Sequence, residues 1–365
     1  MRHGEREQID TLVIGGGQAG LAVGYHLSRR GVPFLIVDAN ERTGDAWRNR
    51  WDSLRLFTAN KFNGLPGMPY PDQTWSFATK DEIANFLESY AHHFELPIRH
   101  SVEVTRLTKE GDRLVAVIDD REYEADNVVV AMSSYQEPTV PEFASELDPR
   151  IVQMHMVDYK NPGQLREGVV LVVGAGTSGA EIAFELLRDR HVLLSGPSTG
   201  QAPFRPERLS GRILIPVLSR LILRVLSTTT PIGKRARPKI LSRGAPLVRV
   251  KERDLVGAGV ERVGRTVGVV DGYPELDDGR VVDVSNVVWC NGFEPGFSWI
   301  DLPVFDESGK VVHDRGVAQA VPGLYFVGLR FLYSIASDTL LGVGRDADHV
   351  VGIISRNRSV PQTVS

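Results

Sequence analysis

The 365-residue sequence contains a single cysteine, Cys290. That excludes an internal disulfide, a dithiol redox pair and a cysteine-rich zinc site. No run of about 18 uncharged apolar residues occurs, so no transmembrane helix is expected. Met1 to Asp10 is charged and lacks an apolar stretch. No secretory leader is therefore expected, and the reading is a cytoplasmic protein. An excess of one charge is also missing. The 42 Lys and Arg face 46 Asp and Glu, a formal net charge of -4, which argues against a nucleic-acid partner. No catalytic triad or metal-ligand spacing surrounds any histidine, His155 included.

What remains is an ordinary globular composition, 42% hydrophobic and 24% charged, in a chain long enough for two or three domains. The 36 glycines cluster at a few turns. Residues 11–14 read as a short buried strand running into Gly15. A helical pattern follows from Gln18 to Arg30, and residues 33–38 form a second apolar strand ending in Asp38. This is a βαβ unit. A second unit repeats the order of events. Residues 169–173 lead into Gly174, a helix spans 178–188, and residues 191–195 form the next strand.

Both units open on a Gly-x-Gly-x-x-Gly turn: Gly15-Gly-Gly17-Gln18-Ala19-Gly20 and Gly174-Ala-Gly176-Thr177-Ser178-Gly179. A dinucleotide pyrophosphate binds at such a helix start because free N–H groups and the helix dipole meet its negative charge. A side chain on the first glycine would obstruct the turn. One on the second would hold the phosphate off, and one on the third would push the helix from the strand. Asp38 can accept hydrogen bonds from a ribose diol in the first unit. By the same offset the second unit has Pro197, and no acid occurs from Val192 to Gln201. Ser195, Ser198 and Thr199 lie there instead, with Arg205 and Arg208 beyond, which favours the 2′-phosphate of NADPH over NADH.

The remaining pattern places a helix at 80–96 and strands at 113–118 and 127–131. Residues 133–149 form a linker, followed much later by a strand at 323–328 and a helix at 339–356. Asn127-Val-Val-Val and Asn286-Val-Val-Trp read as closing strands of two similar modules. The unpartnered C-terminal strand and helix belong in the first sheet. The expected fold is therefore α/β, with two nested Rossmann-like dinucleotide-binding domains. Residues 1–148 and 284–365 form a discontinuous FAD-binding domain, and 149–283 an inserted NADPH-binding domain.

Residues 201–253 hold thirteen Lys or Arg and two acids. Within them 211–227 has the pattern of a basic amphipathic helix. It is read as packed on the core, lying on an anionic membrane surface, or lining a substrate channel.

At this point the sequence resembles the flavin-containing monooxygenase family, in particular its indole-pyruvate-monooxygenase-like branch. The resemblance rests on the two glycine turns and on Gly44-Asp-Ala-Trp47-Arg48-Asn-Arg-Trp51-Asp52-Ser53-Leu54-Arg55-Leu56. It extends to Leu65-Pro66-Gly-Met-Pro69-Tyr-Pro71, to Val288-Trp-Cys290-Asn291-Gly292-Phe293, and to Gly342-Val-Gly344-Arg345-Asp346 with Ser334 and Ser337. His155, Tyr159 and Pro162 fit part of the family fingerprint. Pro149, Ile151, Met156, Asn291 and Ala131-Met-Ser133 depart from it.

The resemblance implies hydride transfer from NADPH to FAD, activation of O₂, and oxygen transfer to a small organic substrate. It implies cofactor roles for Ala39, Trp47, Arg48, Leu54, Leu56, Val104, Asn291, Gly292, Gly328 and Ser334, besides the two turns. Asn60 and Lys61 are the catalytic candidates. Trp47 and Trp51 read equally well as core aromatics. A flavin reductase or oxidase without oxygenation, and a non-catalytic FAD-binding redox regulator, stay open. Oligomeric state is not readable.

Overall fold

The computed structural model describes residues 6–202, 223–242, 244 and 246–359. The chain opens with β1 (Glu7–Ile14), α1 (Gln18–Arg29) and β2 (Phe34–Val37). Leu12 and Val13 on β1 are both fully buried, facing opposite sides. A strand covered on both faces reads as a continuous apolar run, which is why residues 11–14 show no alternation. The short α2 (Asp45–Arg48), α3 (Lys80–His93) and β3 (Ile98–Arg99) follow. An antiparallel meander of β4 (Val104–Glu110), β5 (Arg113–Ile118) and β6 (Arg121–Val130) completes the N-terminal stretch.

These strands form one sheet in the order β3-β2-β1-β6-β5-β4. β1 pairs in parallel with β2 on one side and β6 on the other, with Leu12 opposite Leu35 and Val128. The first half of β6 pairs with β5. Its second half is free to pair with another strand on the same edge, and a distant segment takes that place.

The chain then leaves this sheet through β7 (Glu137–Pro138) and enters a second one with β8 (Val152–His155), β9 (Val170–Val173), α4 (Thr177–Leu186) and β10 (Val192–Ser195). Helices α5 (Pro231–Leu241) and α6 (Glu252–Ala258) precede β11 (Glu261–Val263), the hairpin β12 (Thr266–Val270) and β13 (Tyr273–Leu276), and β14 (Asn286–Trp289). The second sheet is parallel throughout, in the order β11-β10-β9-β14-β8.

β15 (Phe293–Glu294) carries the chain back, pairing antiparallel with β7. β16 (Leu324–Phe326) then pairs in parallel with the second half of β6, and α7 (Leu340–Ser359) packs against α1. Val343, Ala347, Val350, Val351 and Ile354 of α7 join Ala22, Val23 and Leu27 of α1 in one core cluster. The C-terminal strand and helix thus lie in the first sheet's layer, as the nested reading requires.

The expected return at residue 284 needs correction. Asn286–Trp289 pairs with β9 and β8, so the chain is still inside the second sheet at Trp289. Val287 and Val288 are fully buried there, and an apolar closing strand has to stay with the core it closes. Of the basic segment 211–227, residues 211–222 lie outside the described residues.

Helix α3 starts at a complete capping box. Thr79 Oγ1 accepts from the Glu82 amide at 3.2 Å, and Glu82 Oε2 accepts from the Thr79 amide at 2.8 Å. Its apolar stripe, Ile83, Phe86, Leu87 and Tyr90, is buried against the first unit. Thr79→Ala leaves the Glu82 amide to water and should cost about 1 kcal/mol. A denaturation midpoint that moves while the slope stays constant would show it.

Candidate cofactor and active site

The first turn has the geometry that a diphosphate requires. Gly15 sits at φ +107°, and a Cβ there would lie 3.0 Å from the Met132 amide nitrogen. Its own N–H donates to Val37 O at 2.8 Å, which ties the turn to the neighbouring strand. A Cβ on Gly20 would stand 1.8 Å from Gly15 O, an impossible overlap. Helix α1 therefore starts as close to β1 as backbone allows. A Cβ on Gly17 would meet nothing within 4 Å. Gly17 needs no glycine for protein packing, and the space over it is open. No side chain caps this helix start, and no acid occupies its first turn. The first amides are left for an anion.

The second turn repeats this arrangement. Gly174 has φ +113°, and its Cβ would lie 2.3 Å from Cys290 O. A Cβ on Gly179 would lie 1.9 Å from Gly174 O, and one on Gly176 would meet nothing. Helix α4 also starts without a side-chain cap and without an acid in its first turn. Thr177 and Ser178 sit half-buried on that turn, with Thr177 Oγ1 donating to Pro246 O at 3.4 Å.

Around the first turn, Asp38 is buried. It accepts from the Gly16 amide and from the Asn40 amide and side chain, the latter two at 2.7 Å. The acid thus braces the turn, while a carboxylate still has capacity for further donors. Gln18 reaches across to the C-terminal segment, donating to Asp338 O at 2.8 Å. Ala19 is buried, and Gly328 at φ +87° lets the end of β16 approach it, since a Cβ there would lie 3.0 Å from Ala19 Cβ. Ala39 is exposed and Val104 is buried at the head of β4, where the Val102 amide donates to Asp38 O. Leu54 and Leu56 are buried core residues, and half-buried Trp47 packs on the same cluster. Trp51 is buried beside them, and its indole Nε1 has no hydrogen-bond partner.

Several expected site residues have their polar groups committed to the protein itself. Arg48 donates to Asp45, Thr43 O, Asn85 and Glu88, which turns its guanidinium toward α3. Asn60 is buried, and its Nδ2 donates to Asp72 Oδ2 at 2.8 Å and Ser76 Oγ at 3.1 Å. Hydrogen bonds from Asn60 and Thr74 hold the Asp72 carboxyl down to about 2. The Lys61 ammonium lies over the Trp75 ring at 4.6 Å. Ser334 is fully buried and accepts from Arg345 at 3.0 Å. Ser195 is fully buried as well, donating to Gly264 O and paired with Thr266 Oγ1, each at 2.8 Å. These five residues make the polar contacts described within the protein itself. Arg205 lies outside the described residues.

The two units meet at a seam that the sequence did not single out. Tyr135, just before β7, donates to Asp338 Oδ2 at 3.2 Å. Burial pushes the Asp338 carboxyl above the usual carboxylate range and the Tyr135 phenol above its own. Tyr135 is nonetheless 39% exposed. Its ring meets Phe293 edge-on, Arg50 lies over Phe293 at 5.6 Å, and the His155 ring packs on the other side at 5.0 Å. Burial lowers the His155 pKa. Its Nδ1 accepts from the Val157 amide and its Nε2 lies 3.1 Å from Gly292 O, which fits a neutral ring donating to that carbonyl. His155 thereby pins the return crossing. Asn291 beside it is exposed, and Gly292 has φ +94°. Cys290, packed against the second turn, has its thiol pushed up to about 12 by burial. Among the described residues no cluster of His, Cys, Asp or Glu could hold a metal ion.

A family model described as pyridine nucleotide-disulphide oxidoreductase matches residues 12–214. The chain belongs to that family. An oxidoreductase of Geobacillus kaustophilus, described as uncharacterized and CzcO-like, is 40% identical over 348 residues, spanning 95% of this chain and 98% of that protein. A probable indole-3-pyruvate monooxygenase of Arabidopsis thaliana, YUCCA3, is 30% identical over 87% of this chain and 81% of its own length. A flavin-containing monooxygenase structure from Stenotrophomonas maltophilia superposes with TM-score 0.76 at 26% identity, over 97% of this chain and 100% of that one. The architecture of this oxidoreductase is that of flavin monooxygenases, with Rossmann-type units for FAD and NADP, as the resemblance implied. Among the described residues no helix is long and apolar enough to cross a membrane.

Two measurements follow from this geometry. Gly17→Ala should fold normally and lose flavin absorbance, while Gly20→Ala should lose thermal stability through its clash with Gly15 O. Full flavin occupancy in Gly17→Ala would refute the placement of the diphosphate. The second concerns Glu181 of α4, which burial pushes up to about 7 despite Arg249 at 3.5 Å. Its folded pKa lies above the ordinary 4.5. Its contribution is therefore present below pH 4.5 and lost as pH rises through 7. Wild type should lose about 2 kcal/mol between pH 5 and 8 from this group, and Glu181→Gln should flatten that slope.

Proposed function

We infer that this oxidoreductase is an NADPH-dependent flavoprotein monooxygenase acting with O₂ on a small organic substrate. The observation that carries the reading is the pair of glycine turns on either side of one seam, combined with a sole cysteine whose thiol burial pushes up to about 12. The amides of Gly15–Gly20, with Asp38 behind them, would hold FAD. Those of Gly174–Gly179 would hold NADPH. When bound, flavin accepts a hydride from NADPH and activates O₂, so the chain needs no nucleophile of its own.

The protein's own tasks are then orientation, exclusion of water and proton holding. Asn291 and Gly292 lie on the return crossing and Tyr135 on the outgoing one. Burial disfavours the charged forms of Tyr135 and Asp338. Trp51 supplies a buried indole N–H without a protein acceptor. For the domain division we propose an FAD unit of residues 1–148 with the C-terminal part after Trp289, and an NADPH unit from 149 to 289.

The family description mentions disulphide chemistry, which this chain is not equipped to perform. A dithiol exchange needs a thiolate, and Cys290 is alone with its thiol held near 12. The seam and the two turns equally suit a reductase that passes electrons to O₂ without oxygenation. Turnover of purified protein under ¹⁸O₂ with NADPH separates the two. The probes are a panel of small lipophilic amines and keto acids. One labelled oxygen in product per NADPH consumed is expected. Full recovery of reducing equivalents as hydrogen peroxide, without label in any product, would overturn the monooxygenase reading.

A further inference from the structure

The end of β10 is where the adenosine ribose of a nucleotide on the second turn must lie. Ser195, the polar residue closest in sequence to that point, is sealed off by Gly264 O and Thr266. A residue 67 positions further along reaches the place instead. Arg262 stands on the edge strand β11, in register with Leu194 of β10. Its Nη2 donates to Gly196 O at 2.6 Å. Gly196 directly precedes Pro197, the position that holds an acid in the first unit's equivalent.

The electrostatics of this guanidinium are unusual for a surface arginine. It is half-buried, and burial lowers its pKa. Among the described residues no carboxylate forms an ion pair with it. Glu252, at the start of α6, favours its charge only from a distance. Asp277 is the other acid nearby and lies against Gly264. The β10 loop contributes no acid between Val192 and Gln201. A single carbonyl occupies one of the guanidinium's five N–H groups, and among the described residues no other hydrogen bond from it is formed. A half-buried cation held by one neutral acceptor is completed by an anion with several oxygens.

We propose that Arg262 selects NADPH over NADH by binding the 2′-phosphate of the adenosine ribose. The inference rests on the reading of the second turn as the NADPH site. Gly196 O fixes the guanidinium over the loop in advance, so the phosphate meets an ordered donor rather than a mobile side chain. Discrimination then comes from two sources: a cation that pairs with the 2′-phosphate, and a loop without the acid that would accept from a free 2′-hydroxyl.

The test uses the flavin-loaded protein and Arg262→Gln, Arg262→Lys and Arg280→Gln, the last an exposed arginine paired with Asp278. Affinities for NADP⁺, NAD⁺ and 2′,5′-ADP are measured by calorimetry, and KM for NADPH and NADH by turnover. In Arg262→Gln, binding of NADP⁺ and 2′,5′-ADP should weaken on the order of 10- to 100-fold, with NAD⁺ little changed. Arg262→Lys should recover part of the loss, and Arg280→Gln should match wild type. Equal weakening of NADP⁺ and NAD⁺, or no weakening, in a protein whose wild type prefers NADP⁺ would overturn the role of Arg262 alone. A wild type that prefers NAD⁺, or binds neither, would overturn the NADPH reading and this proposal with it.

Discussion

The structure depends on a close approach that only backbone can make. In both units the third glycine of the turn stands so near the carbonyl of the first that no side chain fits between them. That contact presses the start of a helix against the end of a strand. It also aims the helix's unpaired amides and positive end at a single point in space. The sheet order, the buried apolar strands and the packing of α1 on α7 all serve to hold this geometry. The middle glycine is free of protein contact in both units, the mark of a position kept bare for something outside the chain.

Placing the second unit inside the first follows from edge availability. β6 is long enough to offer one edge to β5 along its first half and the same edge to β16 along its second. A C-terminal strand can therefore return to the central sheet after the intervening unit has folded around its own five strands. The apolar character of β14 keeps it with that second core. This explains why the chain crosses back only after Trp289.

Much of the fold was legible because it is written in local pattern. Residues 11–14 and 169–173 are apolar runs feeding glycine turns, and both form strands paired in parallel with their neighbours at the predicted places. The helix expected at 80–96 is present as α3 (Lys80–His93). Side-chain roles were far less legible. Arg48, Asn60, Lys61 and Ser334 carry suitable chemistry near suitable motifs. Their partners are Glu88, Asp72, Trp75 and Arg345, and no periodicity announces such pairings. Ser195 has suitable chemistry two residues before the expected offset, but its hydroxyl is taken up by Gly264 O and Thr266. Arg262 lies on another strand altogether. Tyr135 fell in a stretch that read only as linker, and Asp338 became visible only once the seam brought the two together.

The two passages of chain between the units, β7 and β15, are hydrogen-bonded to each other as a small antiparallel ribbon. A single linker would leave its cargo free to pivot in any direction. A two-stranded ribbon is stiff in its own plane and compliant perpendicular to it. The inserted unit is thus suspended as if on a leaf hinge, with one soft direction of swing. The Phe293 ring at the base of that ribbon meets both Tyr135 and His155 edge-on.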